Sequence, residues 1–230
     1  MRPRIRHAVG AGALALPPVL VFGLGVTPAA AATQVALYHM NEPAGATTMV
    51  DSVGGHNGTL THVQTGVPGV SGNAYRFDGS TSVASIPASA AFNPGNADVS
   101  FTVHLNFTTV PSRAVGDYDI LRGPTQGAYK MEVVARKHRT IALPLCFFKG
   151  SRTRATLAKG RNLADGRWHT VQCTKTATAI TLTVDGTKYT KSATVGTLTN
   201  TGALSLGAKS YKGGGDWYKG MMDEVSLSIG

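Results

Sequence analysis

The stretch that decides the fold is Asp165-Gly166-Arg167-Trp168-His169-Thr170-Val171, together with Thr183-Val184-Asp185-Gly186 further along the chain. An Asp-Gly pair beside alternating apolar and polar residues predicts a tight hairpin turn. Two such pairs therefore predict neighbouring antiparallel strands with a hairpin at each. We expect Trp168 to pack in the core and His169 to begin a strand, because the sequence places no acid partner or nucleophile beside that histidine.

Period-two alternation of apolar and polar side chains recurs along the chain and predicts half-buried strands. Beyond the N-terminal segment no stretch has a convincing helical period. Short strands separated by Gly and Asn turns predict a two-sheet antiparallel sandwich. The predicted strands are 99–107, 129–136, 140–148, 179–184, 204–206 and 225–229.

Further motifs stand in order around these strands. They are YHMNE at 38–42, DSVGGHNGT at 51–59, GNAYRFDG at 72–79, SFTV at 100–103 and GMMDEV at 220–225. With the two Asp-Gly segments, this series resembles the laminin-G-like, concanavalin-A-like jelly-roll family, in its secreted bacterial type. The chain departs from the family pattern where Met222 replaces the usual Ile and where the Asp-Ser turn lacks its usual Gly. The resemblance implies an all-β, two-sheet antiparallel jelly-roll sandwich. It leaves function open, because this fold carries lectins, adhesion modules, glucanases and lyases.

The N-terminus has the pattern of a secretory signal peptide. Three arginines, at positions 2, 4 and 6, precede an apolar run over 8–26, and Ala29 to Ala32 supply small-residue cleavage sites. We therefore predict a cleaved signal peptide at 1–32, a single domain at 33–230, and a secreted, extracellular protein without a transmembrane span. An uncleaved N-terminal anchor is the alternative interpretation.

The chain is basic, with a formal charge of +10. Loss of the predicted signal peptide leaves 19 basic and 12 acidic residues, a net charge of +7. Such a charge favours contact with anionic surfaces. We expect an extracellular carbohydrate or anionic polymer as partner, no specific nucleic acid, and a monomer. The alternative is that the charge only keeps the protein in solution.

Two cysteines, Cys146 and Cys173, are predicted to form a disulfide, because an even count in an exported chain favours pairing. Each lies in a strand-like segment and the two segments flank the Asp165 turn. We expect them on adjacent antiparallel strands.

The segment 209–220 combines glycines, aromatic residues and charged residues, which is typical of a sugar-contacting loop. Its candidate ligand-binding residues are Tyr211, Lys212, Asp216 and Trp217, while the family resemblance implies that Tyr218 belongs to the core. Two further candidates, Arg152 and Arg154, lie in a short basic cluster that favours an acidic polymer. Charged hairpin tips that only remain solvated are the alternative for that cluster.

Hard oxygen ligands gathered from separate loops would suit calcium. The candidates are Asp51, Asn57 and Asp223, because the resemblance implies that the segments carrying them approach one another. A hydrogen-bonded turn with a paired carboxylate is the alternative. We expect no required cofactor and treat structural calcium as a hypothesis.

Enzyme motifs are missing from the sequence: it has no glucanase carboxylate run, lyase strand, nucleophile elbow, zinc-protease helix motif or P-loop. The sequence therefore favours a non-catalytic binding module for an extracellular glycan or envelope surface. A polysaccharide lyase or glucanase of the same fold, and a protein–protein adhesion module, remain alternatives.

Overall fold

The computed structural model describes residues 32–124, 128–210 and 215–230. Apart from one 3₁₀ turn at Ala90–Phe92, the regular elements in these ranges are strands. They are β1 Thr33–Tyr38, β2 Thr48–Met49, β3 Gly58–Thr61, β4 Gln64–Pro68, β5 Asn73–Asp78, β6 Val83–Ile86, β7 Val99–Asn106, β8 Tyr118–Arg122, β9 Tyr129–Arg136, β10 Ile141–Lys149, β11 Arg154–Ala158, β12 His169–Lys175, β13 Ala179–Val184, β14 Thr187–Ser192, β15 Leu204–Leu206 and β16 Lys219–Ile229.

The strands form two antiparallel sheets that pack face to face. The first sheet has the order β14-β13-β12-β7-β16-β5-β4, with β1 paired to β16. The second has the order β11-β10-β9-β8-β15-β6-β3-β2. Strand order departs from chain order in both sheets, which is typical of a jelly roll. The predicted fold class is therefore confirmed, and no helix in the described ranges is long and apolar enough to cross a membrane.

The core lies between the sheets and follows directly from the period-two pattern. In β7, Val99, Phe101, Val103 and Leu105 are buried, and each alternates with a half-buried polar residue. The Phe101 ring meets aromatic rings of the second sheet, including that of Tyr129 with centroids 5.5 Å apart. Such interdigitation of two inner faces supplies most of the apolar burial in a β-sandwich.

A second aromatic cluster surrounds Tyr218, which is fully buried, as the family resemblance implied. Its ring lies 5.6–5.9 Å from the rings of Phe77, Phe107 and Tyr118. Its hydroxyl donates to backbone oxygens and lies 2.9 Å from the carbonyl of Met221. The buried phenol is therefore both packed and hydrogen-bonded, as a buried tyrosine requires.

The disulfide between Cys146 and Cys173 is confirmed. The expected placement on adjacent strands is wrong: Cys146 lies on β10 of the second sheet and Cys173 on β12 of the first. Both residues occupy inward positions, so the bond crosses the core and joins the two sheets. For a sequence separation of 27, the chain-entropy account gives a stabilisation of about 3.5 kcal/mol.

The two Asp-Gly turns differ from one another. Asp185 and Gly186, both with positive φ, form the two-residue loop of the β13–β14 hairpin, as predicted. Asp165 and Gly166 instead belong to the connection from β11 in the second sheet to β12 in the first, so the hairpin expected there is wrong. Both turns share a histidine partner, His169.

His169 begins β12, as predicted, but the expectation that Trp168 packs in the core is wrong. Because His169 alternates in register with the inward residues of β12, it is only 3% exposed, whereas Trp168 is half-buried. His169 Nδ1 lies 2.8 Å from Asp185 Oδ2, and its Nε2 lies 2.9 Å from Asp165 Oδ1. The histidine therefore has two acid partners, and it connects the two turns that the sequence singled out.

Candidate functional site

Charged side chains lie on the outer face of the second sheet, on its central strands. In β9 the side chains of Tyr129, Met131 and Val133 belong to the core, so Lys130 and Glu132 face away from it. Because side chains alternate along a strand, this arrangement follows from the sequence pattern.

The neighbouring strand β8 adds two more charged residues to this face. Asp119 lies opposite Glu132 and Arg122 lies opposite Lys130, with a bulge between these two register positions. A bulge shifts the alternation by one residue, which lets both Asp119 and Arg122 face outward. We call Asp119, Arg122, Lys130 and Glu132 the charged row.

The charged row is an ion-pair network withdrawn from solvent. Arg122 Nη1 lies 2.9 Å from Asp119 Oδ2 and 3.7 Å from Glu132 Oε1. Lys130 Nζ also pairs with Glu132 Oε1. The side chains of Asp119, Glu132, Arg122 and Lys130 are only 0%, 6%, 11% and 19% exposed. Within the described ranges Arg122 Nε has no hydrogen-bond partner, so one buried donor of the network is unused.

Different chemistry flanks the charged row on each side. On β10, Phe147 lies opposite Lys130 in register, and the Lys130 ammonium lies 5.1 Å from the centre of its half-buried ring. On β15, Ser205 lies opposite Arg122. The Ser205 hydroxyl is buried and donates to the Ala208 carbonyl at 3.0 Å, so the face combines an aromatic ring with a set of charged hydrogen-bonding groups on neighbouring strands. Rings of this kind stack on flat ligand faces while the polar groups select hydroxyl or amide partners.

The predicted loop 209–220 meets the charged row through Asp216. The backbone oxygen of Asp216 accepts from the N–H of Asp119 at 2.9 Å, and its carboxylate pairs with Lys209 at 3.1 Å. Trp217 is half-buried, consistent with a residue that reaches the surface beside the buried Tyr218. The other two candidates of this loop, Tyr211 and Lys212, lie outside the described residues.

Three carboxylates, those of Asp117, Asp119 and Asp216, bring oxygen atoms within 4.8 Å of one another. Arg122 and Lys209 already place positive groups against this cluster. Burial, together with the nearby Glu132 and Asp216 carboxylates, raises the pKa of Asp117 to about 6. Burial also raises the pKa of Asp119, although Arg122 opposes this effect. Protons are therefore held at this site well above the pH at which carboxyl groups normally lose them.

The raised pKa of Asp117 gives a pH prediction. A carboxyl group that holds its proton more tightly in the folded chain stabilises the fold at low pH, and that contribution is lost as pH rises. We expect the urea midpoint to fall as pH rises from 3.8, the ordinary pKa, to about 6. The Asp117→Asn variant should show a shallower fall, and an equally steep fall in this variant would contradict the assignment.

The predicted calcium ligands lie in two places, with Asp51 and Asn57 in the connection before β3 and Asp223 on β16. Asp51 accepts backbone hydrogen bonds from Leu37, Val53 and His56, and the side-chain oxygen of Asn57 accepts from the Asp51 N–H. Asp223 instead accepts from the N–H groups of the 70–71 turn. Backbone N–H groups thus already donate to the carboxylates of Asp51 and Asp223. This arrangement corresponds to the alternative of a hydrogen-bonded turn with a paired carboxylate. Calcium binding stays a prediction.

A hydrogen-bonded chain of three side chains extends from Asp51. His56 Nδ1 lies 3.1 Å from Asp51 Oδ2, and His56 Nε2 lies 3.0 Å from the Ser89 hydroxyl. Ser89 also accepts from Ala91 N–H and so caps the 3₁₀ turn, while His56 packs against Phe92. These contacts tie the 51–57 turn to the 3₁₀ turn, and their evident contribution is to hold the two turns together.

The two predicted basic residues lie in different settings. Arg154 begins the edge strand β11 and is exposed opposite Lys149. Arg152 belongs to the preceding loop and lines a separate cleft with residues of other loops. The structure therefore separates the two arginines that the sequence grouped in one cluster.

Comparison with protein families places these features in a known fold. A family model described as the Concanavalin A-like lectin/glucanases superfamily matches residues 78–228. The matched range contains the charged row, both cysteines and both Asp-Gly turns. No curated protein matches the chain.

Solved structures with a similar fold share little sequence with this chain. The binding domain of Paraclostridial Mosquitocidal Protein 1 has a TM-score of 0.66 at 13% identity, over 85% of this chain and 48% of that one. Domain 4 of AbnA, a GH43 extracellular arabinanase from Geobacillus stearothermophilus solved with arabinotriose, has a TM-score of 0.63 at 15% identity. The match covers 86% of this chain and 93% of that domain. The mouse laminin alpha1 LG4-5 domains have a TM-score of 0.50 at 19% identity, over 67% of this chain and 40% of that one. The chain spans about half the length of the mosquitocidal binding domain.

Proposed function

The chain belongs to the Concanavalin A-like lectin/glucanases superfamily, and from this premise we propose that it is a secreted, non-catalytic module that binds an extracellular glycan or envelope surface. The proposed binding surface is the outer face of the second sheet around the charged row. The partner is an extracellular carbohydrate or anionic polymer.

The observation that carries the proposal is the burial of the charged row. Ion pairs withdrawn from water are costly, and apolar residues of similar size often stabilise a protein as well or better. Four charged side chains on one outer face therefore gain little for the fold alone. Their polar groups, with the unused donor at Arg122 Nε, suit a ligand that brings its own hydrogen-bonding groups.

Two further features support a carbohydrate. Phe147 lies beside the charged row and offers a ring for stacking on a sugar. Among proteins with this fold, the arabinanase domain was solved with a bound oligosaccharide. The predicted mature charge of +7 supports an anionic polymer or surface.

Substitution of Phe147 tests the proposed surface. We expect Phe147→Ala to weaken binding about tenfold, because losing one stacking ring costs roughly 1–3 kcal/mol of binding. A glycan array identifies the probe, and titration of the best oligosaccharide measures the change. Trp168→Ala is the control, since Trp168 is also a half-buried aromatic residue but precedes a strand of the first sheet. Equal losses in both variants, or none in Phe147→Ala, would refute this surface.

One observation favours an enzyme as the second candidate. Asp119 and Glu132 are carboxylates on facing register positions, and both lie within 4 Å of the same Arg122 nitrogen. A glycosidase needs two such groups, one of them with a raised pKa, as burial produces for Asp119. Incubation of the identified glycan with the wild type and Asp119→Asn separates the candidates. Product release that disappears in the variant would favour the enzyme, and an intact glycan favours the binding module.

A further inference from the structure

A polar cleft lies among loops that extend from both sheets, apart from the charged row. Its volume is about 530 Å³. Positive and neutral hydrogen-bonding groups dominate its lining, and none of the lining residues is acidic. They are Asn96, Ser151, Arg152, Lys175, Ala177, Thr194, Gly196 and Thr197.

Hydrogen bonds hold the two loops that form one wall of the cleft. Ser151 N–H donates to the Thr197 carbonyl at 2.9 Å, and Thr197 N–H donates back to the Ser151 hydroxyl at 3.1 Å. Gly196 has a φ of +85°, and a Cβ there would lie 2.6 Å from that hydroxyl. Only glycine permits this approach, so the wall is fixed before any ligand arrives.

The opposite wall is joined to these loops through Asn96. The Thr197 hydroxyl donates to Asn96 Oδ1 at 2.6 Å. The backbone carbonyls of Asn96 and Ala97 in turn accept from the Lys175 ammonium, at 3.3 and 3.0 Å. One network thus holds both walls and positions a lysine at the cleft.

Two cations at this cleft are incompletely neutralised. Lys175 is only 2% exposed, and the described residues engage two of its three ammonium donors. Burial lowers its pKa, while Asp98 acts in the opposite direction. Arg152 is exposed, and in the described ranges no carboxylate lies within 4 Å of its guanidinium. A buried ammonium and a free guanidinium beside hydroxyl groups make a favourable environment for an anion.

We propose that this cleft binds an oxyanion group (sulfate, phosphate or carboxylate) on an extracellular polymer, with Arg152 as its exposed contact and Lys175 as its buried one. The proposal rests on the proposed function for the statement that the partner is an extracellular polymer. The binding of an anion in the cleft does not depend on that function. It also separates Arg152 from Arg154, which does not line the cleft.

Small ions test the cleft without any polymer. We expect sodium sulfate, titrated against sodium chloride at equal ionic strength, to shift the amide NMR signals of Ser151, Arg152 and Thr197. The Arg152→Gln variant should lose most of this response. Arg167→Gln should retain it, because Arg167 is an exposed arginine just before the start of β12, whereas Lys175 is at its end. Shifts spread over the basic surface, or equal in both variants, would overturn the proposal.

Polymers then identify the source of the anion. Dextran sulfate, polyphosphate and polygalacturonate are the probes, and neutral dextran is the control. Arg152→Gln should bind the preferred polyanion about tenfold more weakly than Arg167→Gln does, since a hydrogen bond to a charged group is worth roughly that factor. Equal affinities in the two variants would overturn the cleft assignment while leaving the proposed function intact. If sulfate shifts the amide signals of the cleft but the protein binds no polymer or glycan, the result would support the cleft as an anion site and contradict the proposed function.

Discussion

Replacement of Arg122 by Met is expected to lower the free energy of unfolding by about 3–5 kcal/mol, because it breaks a buried ion pair and leaves a charge unpaired. Methionine retains much of the apolar stem, so the effect reports the lost guanidinium. Without it, the fully buried Asp119 carboxylate lies beside the carboxylate of Glu132 and has no ion-pair partner within 4 Å among the described residues, although the charge of Lys130 still acts on it. Urea denaturation at neutral pH, with the slope compared between variants, measures the change.

A double variant shows whether charge is the cause. Asp119→Asn removes the buried negative charge with little change of shape. We therefore expect the Asp119→Asn/Arg122→Met protein to recover more than half of the stability lost by Arg122→Met. A loss below about 1 kcal/mol for Arg122→Met, the range of exposed ion pairs, would mean that the charged row is in effect solvated.

The adjacent aromatic residues Trp217 and Tyr218 should have opposite roles. Tyr218 is fully buried among three aromatic rings. Tyr218→Ala should therefore cost about 3–5 kcal/mol of stability, as large-to-small changes of buried aromatic residues do. Trp217 is half-buried and follows Asp216, which contacts Asp119. Trp217→Ala should cost little stability and weaken glycan binding by about 1–2 kcal/mol, by analogy with stacking on aromatic residues.

Melting curves and binding isotherms for the two variants separate these roles. Each variant serves as the control for the other, because the two positions are adjacent. If Trp217→Ala unfolds the domain and Tyr218→Ala does not, the two faces are reversed, and sugar contact would pass to Tyr218.

The fold was predictable because its signal is local. Alternation along each segment identified the strands, and three of them, Tyr129–Arg136, Ala179–Val184 and Leu204–Leu206, agree with the structure at both ends. The Asp185-Gly186 hairpin also needs only its own residues, since positive φ at both positions is what an Asp-Gly pair accepts most readily.

Errors arose where long-range topology decides the outcome. The pairing of Cys146 with Cys173 followed from their number, but the sequence could not indicate that their strands belong to different sheets. For Trp168 and His169, the core position depends on which residue begins the inward register of β12. The sequence showed no acid partner for His169, because the two carboxylates that satisfy it come from turns that lie apart in sequence.

The charged row was not predicted from the sequence, again because its assembly depends on strand pairing. Lys130 and Glu132 alternate with apolar residues, as solvated residues on any half-buried strand do. Only the register of β8 against β9, and the bulge beside Asp119, bring the four groups together. The signal that could have identified them is the concentration of charge on the predicted strand 129–136 and on the preceding segment 118–122, where no strand was predicted. That pattern does not reveal burial.

The most direct measurement is the NMR map of the oligosaccharide selected on the array, recorded on the ¹⁵N-labelled protein. Our account predicts that the largest amide shifts fall on β8, β9 and β10, around Asp119, Lys130 and Phe147, with smaller changes at Trp217. Shifts confined to the first sheet, for example on β13 and β14, would contradict the assignment of the binding surface.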